Sequence, residues 1–165
     1  MSAVSVPVPV NHPEARAVTD GDIILATVNV AAPPERVFRA LFSDETERWW
    51  GAPGVYQIEA WKADVRVGGT WSLLVRKDGA ALPAGGEFLQ VEWPSKLVQT
   101  RRYDFDYPNL GRRATKVTYL LAPIESGTRV TVRQEDFGHS QPAYEHAAGW
   151  ERFLEWLAAY LKEAK

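Results

Sequence analysis

The sequence predicts an α+β fold: a curved antiparallel sheet of about seven strands wrapped around one long C-terminal helix, with two short helices after the first strand. Three observations predict it. Runs rich in Val, Leu, Thr and aromatics fill the chain from Gln57 to Phe137, separated by the turn-forming pairs Gly68-Gly69, Asp78-Gly79, Gly85-Gly86, Pro94-Ser95, Pro108-Asn109 and Ser126-Gly127. Connections this short leave no room for the helical crossovers of parallel strands, so the sheet reads as an antiparallel meander. One amphipathic helix, from about Pro142 to Lys162, then closes the chain. A single helix laid across a curved sheet seldom fills the concavity, so this order of elements predicts a cavity between them.

Residues 1 to about 20 read as a loose arm, in which Pro7 and Pro9 favour extended backbone, and residues 21–165 as one domain. Ile23 to Val30 alternates as a first strand, with Ala26, Val28 and Val30 on one face and Thr27 and Asn29 on the other. Pro33-Pro34 suits the opening of a helix, and Val37, Phe38, Leu41 and Phe42 form its apolar stripe. Asp44 followed by Glu47 has the form of a capping box, so a second short helix is expected to carry Trp49 and Trp50 into the turn Gly51-Ala52-Pro53-Gly54. Further strands fit near residues 57–65, 70–76, 86–93, 97–104, 114–121 and 128–136. The closing helix places Tyr144, Ala147, Trp150, Phe153, Leu154, Leu157 and Leu161 along one side, with Glu145, Arg152 and Lys162 elsewhere. Fully helical, it runs roughly 30 Å, long enough to cross the sheet. Gly149 beside Trp150 is expected to permit close backbone approach.

Composition narrows the function. The 165 residues are 45% hydrophobic and 12% aromatic, ample for a real core. A formal charge of −2, with Lys and Arg scattered, offers no basic stripe for a phosphate backbone, so nucleic acid is not expected as a partner. There is no cysteine, which removes disulfides, thiol nucleophiles and thiolate metal sites and fits a cytoplasmic location. No stretch approaches the roughly 18 apolar residues of a membrane span, and the N-terminus lacks the pattern of a signal peptide. His12, His139 and His146 have no metal-ligand spacing, so no metal and no cofactor are expected. Catalytic motifs are missing too: there is no G-x-S-x-G, and Ser140 near His139 has no orienting acid at a recognised spacing.

Five segments in order carry a resemblance: Ala31-Ala32-Pro33-Pro34-Glu35-Arg36-Val37-Phe38; Asp64-Val65-Arg66-Val67-Gly68-Gly69-Thr70-Trp71; Pro94-Ser95-Lys96-Leu97-Val98-Gln99-Thr100; Gly127-Thr128-Arg129-Val130-Thr131-Val132; and Gly149-Trp150 with Leu154 and Leu157. Together, from about Ile23 to Leu161, they resemble the SRPBCC (START-like) superfamily, and within it the group related to the C-terminal domain of the activator of the 90-kDa heat-shock protein ATPase. The resemblance implies a helix-grip (START-like, Bet v 1-like) fold with a pocket between sheet and helix for apolar or amphipathic ligands. Members include lipid and hormone carriers, polyketide cyclases and aromatases, and uncharacterised stress-related proteins. The chaperone activator carries a large additional N-terminal domain that the short arm does not supply, so chaperone activation is not expected here.

In such a fold the pocket is lined by inward strand residues and the buried face of the last helix. Trp71, Leu73 and Val75 share one parity, as do Val117, Tyr119 and Leu121, and Val130 and Val132. Core packing accounts for the aliphatics among them. Counting by twos from Leu97 gives Gln99, Arg101 and Tyr103, and from Val132 gives Gln134, so polar groups enter an apolar interior. An unpaired buried polar group costs a few kcal/mol, so an inward Arg101 needs a carboxylate, water or ligand to meet it. A bulge would instead turn Thr100 and Arg102 inward, and the sequence is compatible with either register. His146, one turn before Trp150, and Trp50, at the expected pocket mouth, complete the candidate site with Trp150 and Phe153; Trp49 and Trp61 read as packing residues. No catalytic residue stands out.

The reading is a protein that binds a small apolar or amphipathic molecule, gripped by aromatics and oriented by Gln99, Arg101 or Gln134. The alternatives are a cyclase- or dehydratase-type enzyme in which His146, Tyr103 or Tyr119 moves a proton, and a chaperone-associated interaction module; a chaperone or a second copy of the chain is the partner left open.

Overall fold

Alternation in Ile23–Val30 translates directly into a strand with Ile24, Ala26, Val28 and Val30 inward. In a computed structural model, which describes residues 15–163, this is β2. It is preceded by β1 (Arg16–Asp20), paired antiparallel to it across a turn at Gly21. The arm expected over residues 1 to about 20 is therefore corrected at its end, while residues 1–14 lie outside the described residues. The residues of β1 are nearly all exposed, so no buried alternation announced it. It is held by its ladder to β2 and by the Ala17 amide, which donates to Glu151 Oε2 at 2.9 Å on the closing helix.

Helix α1 (Pro34–Phe42) begins after Pro33 and buries Val37, Phe38, Leu41 and Phe42. A 3-10 turn follows over Asp44–Arg48. The expected Asp44–Glu47 capping box does not form. Ser43 caps the turn instead, its Oγ accepting from the Glu45 amide at 3.2 Å, and Glu47 Oε2 accepts from the Trp61 amide at 2.7 Å. The turn is thus tied to the sheet, and it delivers Trp49 and Trp50 to the interior.

The remaining strands are β3 (Gly51–Ala52), β4 (Tyr56–Ala63), β5 (Thr70–Lys77), β6 (Ala80–Glu92), β7 (Lys96–Tyr103), β8 (Thr115–Ile124) and β9 (Gly127–Glu135). They form one nine-stranded sheet in the order β1-β2-β9-β8-β7-β6-β5-β4-β3. Every neighbouring pair is antiparallel. The strands beyond the expected seven are the short edges β1 and β3.

Curvature has local causes. β4 carries a bulge between Glu59 and Lys62, where Ala60 takes φ +56°, and β6 carries another between Phe88 and Gln90. Gly85-Gly86, expected to be a turn, lies inside the 13-residue β6; the turn is Asp78-Gly79. A Cβ on Gly86 would stand 1.9 Å from the Thr100 carbonyl oxygen and 2.7 Å from Trp71 Nε1. The glycine pair lets β7 and the Trp71 indole close over β6, a reason that comes from neighbouring strands and not from chain direction.

Helix α2 (Ser140–Glu163) lies against β1 and β2. Its buried stripe runs Ala143, Ala147, Trp150, Leu154, Leu157 and Leu161, spaced three and four apart, with Ala147 partly covered. Tyr144 falls off that stripe and is 73% exposed, correcting its expected burial. Fully enclosed side chains such as Phe88, Leu97, Phe137, Leu154 and Leu157 each stabilise the fold by about 1.5–3 kcal/mol. The apolar material is packed mainly under the C-terminal half of α2, which leaves the space beneath its N-terminal half less completely filled.

Candidate functional site

Beneath the first half of α2 lies a cavity of about 340 Å³, bounded by β5, β6, β7 and β9, the β7–β8 loop and the helix. Trp50, Phe153 and Trp150 form one end: Trp50 and Phe153 meet edge to face at 4.9 Å, and Phe153 and Trp150 at 5.0 Å. The Trp50 indole donates to Tyr56 Oη at 3.0 Å. Tyr103 and Tyr107, stacked at 4.1 Å, form the other wall, because the bridge between Tyr107 and Gly111 folds the β7–β8 loop back on itself.

Arg101 sits between these walls. β7 pairs with β8 so that Gln99 faces Val117 and Arg101 faces Thr115, which turns Arg101 into the cavity and Arg102 to the surface, where it pairs with Asp104 at 2.9 Å. The bulge that would have exchanged them lies on β6, not β7. The Arg101 guanidinium is 5.4 Å from the Trp50 ring centre, 5.6 Å from Trp150 and 6.0 Å from Trp71. These are cation–π distances. Trp71 itself stays in place by donating its indole N–H to the Thr100 carbonyl at 3.0 Å.

Gln134 spans two elements. Its Oε1 accepts from Trp150 Nε1 at 2.7 Å, and its Nε2 donates to Thr115 Oγ1 at 2.9 Å, whose hydroxyl donates in turn to the Arg101 carbonyl at 3.0 Å. The residue is inward, as its parity predicted, and its amide ties α2 to the strands.

His146 Nδ1 lies 2.7 Å from the Pro142 carbonyl, which can only accept, so this nitrogen carries the proton. In the neutral ring Nε2 is then an acceptor, and Tyr103 Oη donates to it at 3.0 Å. Burial, and then the nearby Arg101 charge, hold the imidazole below its ordinary value, against the opposing effects of the Pro142 bond and Glu145. Burial pushes the Tyr103 phenol up to about 12. At neutral pH both groups are uncharged.

Of the residues singled out from the sequence, Trp50, Arg101, Tyr103, Gln134, His146, Trp150 and Phe153 line the cavity. Four do not. Trp71 backs Arg101, Leu73 is core, and Gln99 is buried on β7 at 4% exposure. Tyr119 is enclosed against Phe42 and Trp150, its phenol pushed by burial up to about 12. Strand parity put these side chains on the concave face, but the filled part of that face is core. Among the lining residues not anticipated are Tyr56, Lys77, Tyr107, Glu145 and Arg152. Tyr107 gave no periodic signal in its loop, and Glu145 and Arg152 belong to the flanks of the helix that periodicity assigns to solvent. Gly149 also lines the cavity, but a Cβ there would meet nothing within 4 Å. The expected close backbone approach is absent; the missing side chain leaves room in the cavity. Among the described residues no group of three or more His, Cys, Asp or Glu side chains is placed to hold a metal ion.

A curved antiparallel sheet gripping a C-terminal helix over an aromatic-walled cavity defines a helix-grip protein of the SRPBCC (START-like) class. The chain belongs to the family described as Activator of Hsp90 ATPase homolog 1-like protein, whose model matches residues 31–162. Similar solved structures share the fold. A protein from Chromobacterium violaceum is 26% identical, over 86% of this chain and 98% of its own, with a TM-score of 0.74. One from Rhodobacter sphaeroides is 21% identical, over 92% of this chain and 100% of its own, with a TM-score of 0.78. A third, from Nitrosomonas europaea, is 23% identical over 86% and 95%, with a TM-score of 0.71. No curated protein matches the chain. No helix among the described residues is long and apolar enough to cross a membrane.

Proposed function

We propose that this protein binds a small hydrophobic or amphipathic molecule in the cavity between the sheet and α2. The carrying observation is the cavity itself: about 340 Å³, within the usual range of small-molecule sites, with aromatic walls and a few polar groups converging on it. Membership of a helix-grip family agrees with a pocket in this place. Aromatic walls supply contact area, while Arg101, Tyr103 and His146 are positioned to orient whatever enters. Filling the cavity tests the reading. Neutral bicyclic aromatics and medium-chain alcohols titrated calorimetrically should bind the native protein, and Gly149→Leu should abolish that binding while leaving the circular dichroism spectrum intact. Undiminished binding to a folded Gly149→Leu protein would place the ligand elsewhere.

A second reading, an enzyme of cyclase or dehydratase type, is favoured by the Tyr103–His146 hydrogen bond of 3.0 Å. A neutral imidazole fixed by Pro142 with its free nitrogen turned to a phenol can take up a proton and return it, and a substrate in the cavity would be adjacent to both groups. Under this reading His146→Gln removes turnover and retains ligand affinity. Equal turnover in the variant excludes the imidazole from the chemistry.

A further inference from the structure

Resting on the ligand-binding reading, we propose that the cavity selects an acid: a small apolar molecule carrying one carboxylate, which takes the guanidinium of Arg101 as its partner. Elsewhere in the molecule several arginines facing solvent have carboxylates beside them, Arg66 with Asp64, Arg76 with Glu59, Arg102 with Asp104 and Arg133 with Glu135, while Arg112, Arg113 and Arg129 donate to carbonyl oxygens instead. Arg36 has Glu45 at 2.6 Å. Arg101, more enclosed than most of these, forms among the described residues no ion pair with a carboxylate and no side-chain hydrogen bond. Its contacts are the rings of Trp50, Trp71 and Trp150.

Rings can accept the charge of a guanidinium, but they leave its N–H donors unused. The other polar groups nearby do not take those donors. The Gln134 amide bonds to Trp150 and Thr115 and the Tyr103 hydroxyl donates to His146, and neither oxygen accepts from Arg101. The charges on the cavity wall are lopsided as well. Lys77, Arg101 and Arg152 line it against the single carboxylate of Glu145, which is held by Asn109 at 2.9 Å and Gln141 at 3.0 Å. A positively lined cavity in a chain of net charge −2 attracts an anion to this place in particular. Arg152 lies over the rings of Tyr56, at 5.7 Å, and Trp156, at 5.6 Å, and adds to that field from the cavity wall.

The chemistry of one guanidinium favours a carboxylate. Its planar fork matches the two oxygens of a carboxylate, and the bonds strengthen where water is excluded. A phosphate dianion would need a second cation beside Arg101: Lys77 lies at the other end of β5 from Trp71, the β5 residue that backs Arg101, and Arg152 is engaged by the rings of Tyr56 and Trp156. The body of the ligand then lies between Trp50 and Phe153 on one side and Tyr103 and Tyr107 on the other.

The test compares naphthalene carboxylate with naphthalene carboxamide, which share shape and differ in charge, by calorimetry at neutral pH. The carboxylate should bind about tenfold or more tightly than the amide, and the preference should weaken as salt is raised. Arg101→Met should remove the preference by weakening the carboxylate about tenfold more than the amide, and Arg101→Lys, which keeps the charge but not the fork, should fall between. Arg101→Lys carries the comparison if Arg101→Met does not fold. Equal affinity for acid and amide in the native protein overturns the acid assignment and leaves the cavity-binding reading standing. A preference undiminished in both variants overturns the role of Arg101. Binding of neither probe overturns both.

Discussion

Trp150 donates its indole N–H to Gln134 Oε1 across 2.7 Å, joining the middle of α2 to the last strand of the sheet. Both residues are buried, at 5% and 3% exposure, so the bond is made where water cannot replace it. Gln134 passes the connection to Thr115 and through it to the backbone of Arg101. The helix that roofs the cavity is thereby coupled to the strand that carries its cation.

Gln134→Leu should destabilise the protein by about 1–3 kcal/mol, because it leaves the Trp150 N–H buried without an acceptor. Trp150→Phe strands the Gln134 oxygen and also loses ring volume. In urea unfolding the double variant should cost less than the sum of the single ones, since each already breaks the shared bond. Strict additivity would show that the two residues do not act on each other.

His146 makes stability depend on pH. Its folded value lies below the 6.5 of the unfolded chain, chiefly through burial, so the unfolded chain binds the proton more readily. The stabilisation from keeping the ring neutral is present above about pH 6.5 and is lost as pH falls toward and through the folded value. Thermal melts from pH 7.5 to about 5 should show a falling Tm that flattens in His146→Gln. Glu145, held low chiefly by Gln141 and Asn109, contributes only at more acid pH. An identical slope in the variant would assign the effect to other groups.

Gly149→Ala should stabilise the protein by up to about 1 kcal/mol, since alanine is the better helix former and its methyl meets nothing within 4 Å. The same methyl takes space from the cavity, so ligand affinity should fall while Tm rises. A drop in Tm would mean that the backbone at Gly149 is packed more tightly than its surroundings show.

Gly86→Ala should be far more damaging. The added Cβ would lie 1.9 Å from the Thr100 carbonyl oxygen, backbone that cannot move without parting β6 from β7. A loss of about 3 kcal/mol or more, or failure to fold, is expected in denaturant titrations. A change below about 1 kcal/mol would show that the sheet can open there at little cost.

How much of this was legible from residues alone follows from the range of the forces involved. Alternation along Ile23–Val30, turn pairs such as Asp78-Gly79 and the apolar stripe of α2 are short-range patterns, and each maps onto an element. Counting by twos along β7 even carried Arg101 to the correct face. Local patterns also misled where a distant strand was the cause. Gly85-Gly86 reads as a turn because a glycine pair permits one, whereas its reason is the Trp71 indole and the Thr100 carbonyl lying across it. The edge strand β1 was missed because an exposed strand needs no apolar alternation, only a partner backbone.

The fold, the helix that grips it and the presence of polar side chains on an apolar face are therefore written in the order of residues, since periodicity and turn chemistry act over a few positions. What surrounds Arg101 is not. Trp50 comes from the segment after the 3-10 turn, Trp71 from β5 and Trp150 from α2, and the distances that join them to Arg101 exist only once the sheet has curved and the helix has closed. Cation–π contact and buried hydrogen bonding act over a few ångströms of space, whatever the separation along the chain. For that reason the cavity could be anticipated from the sequence, while its positive, aromatic interior was decided by tertiary structure.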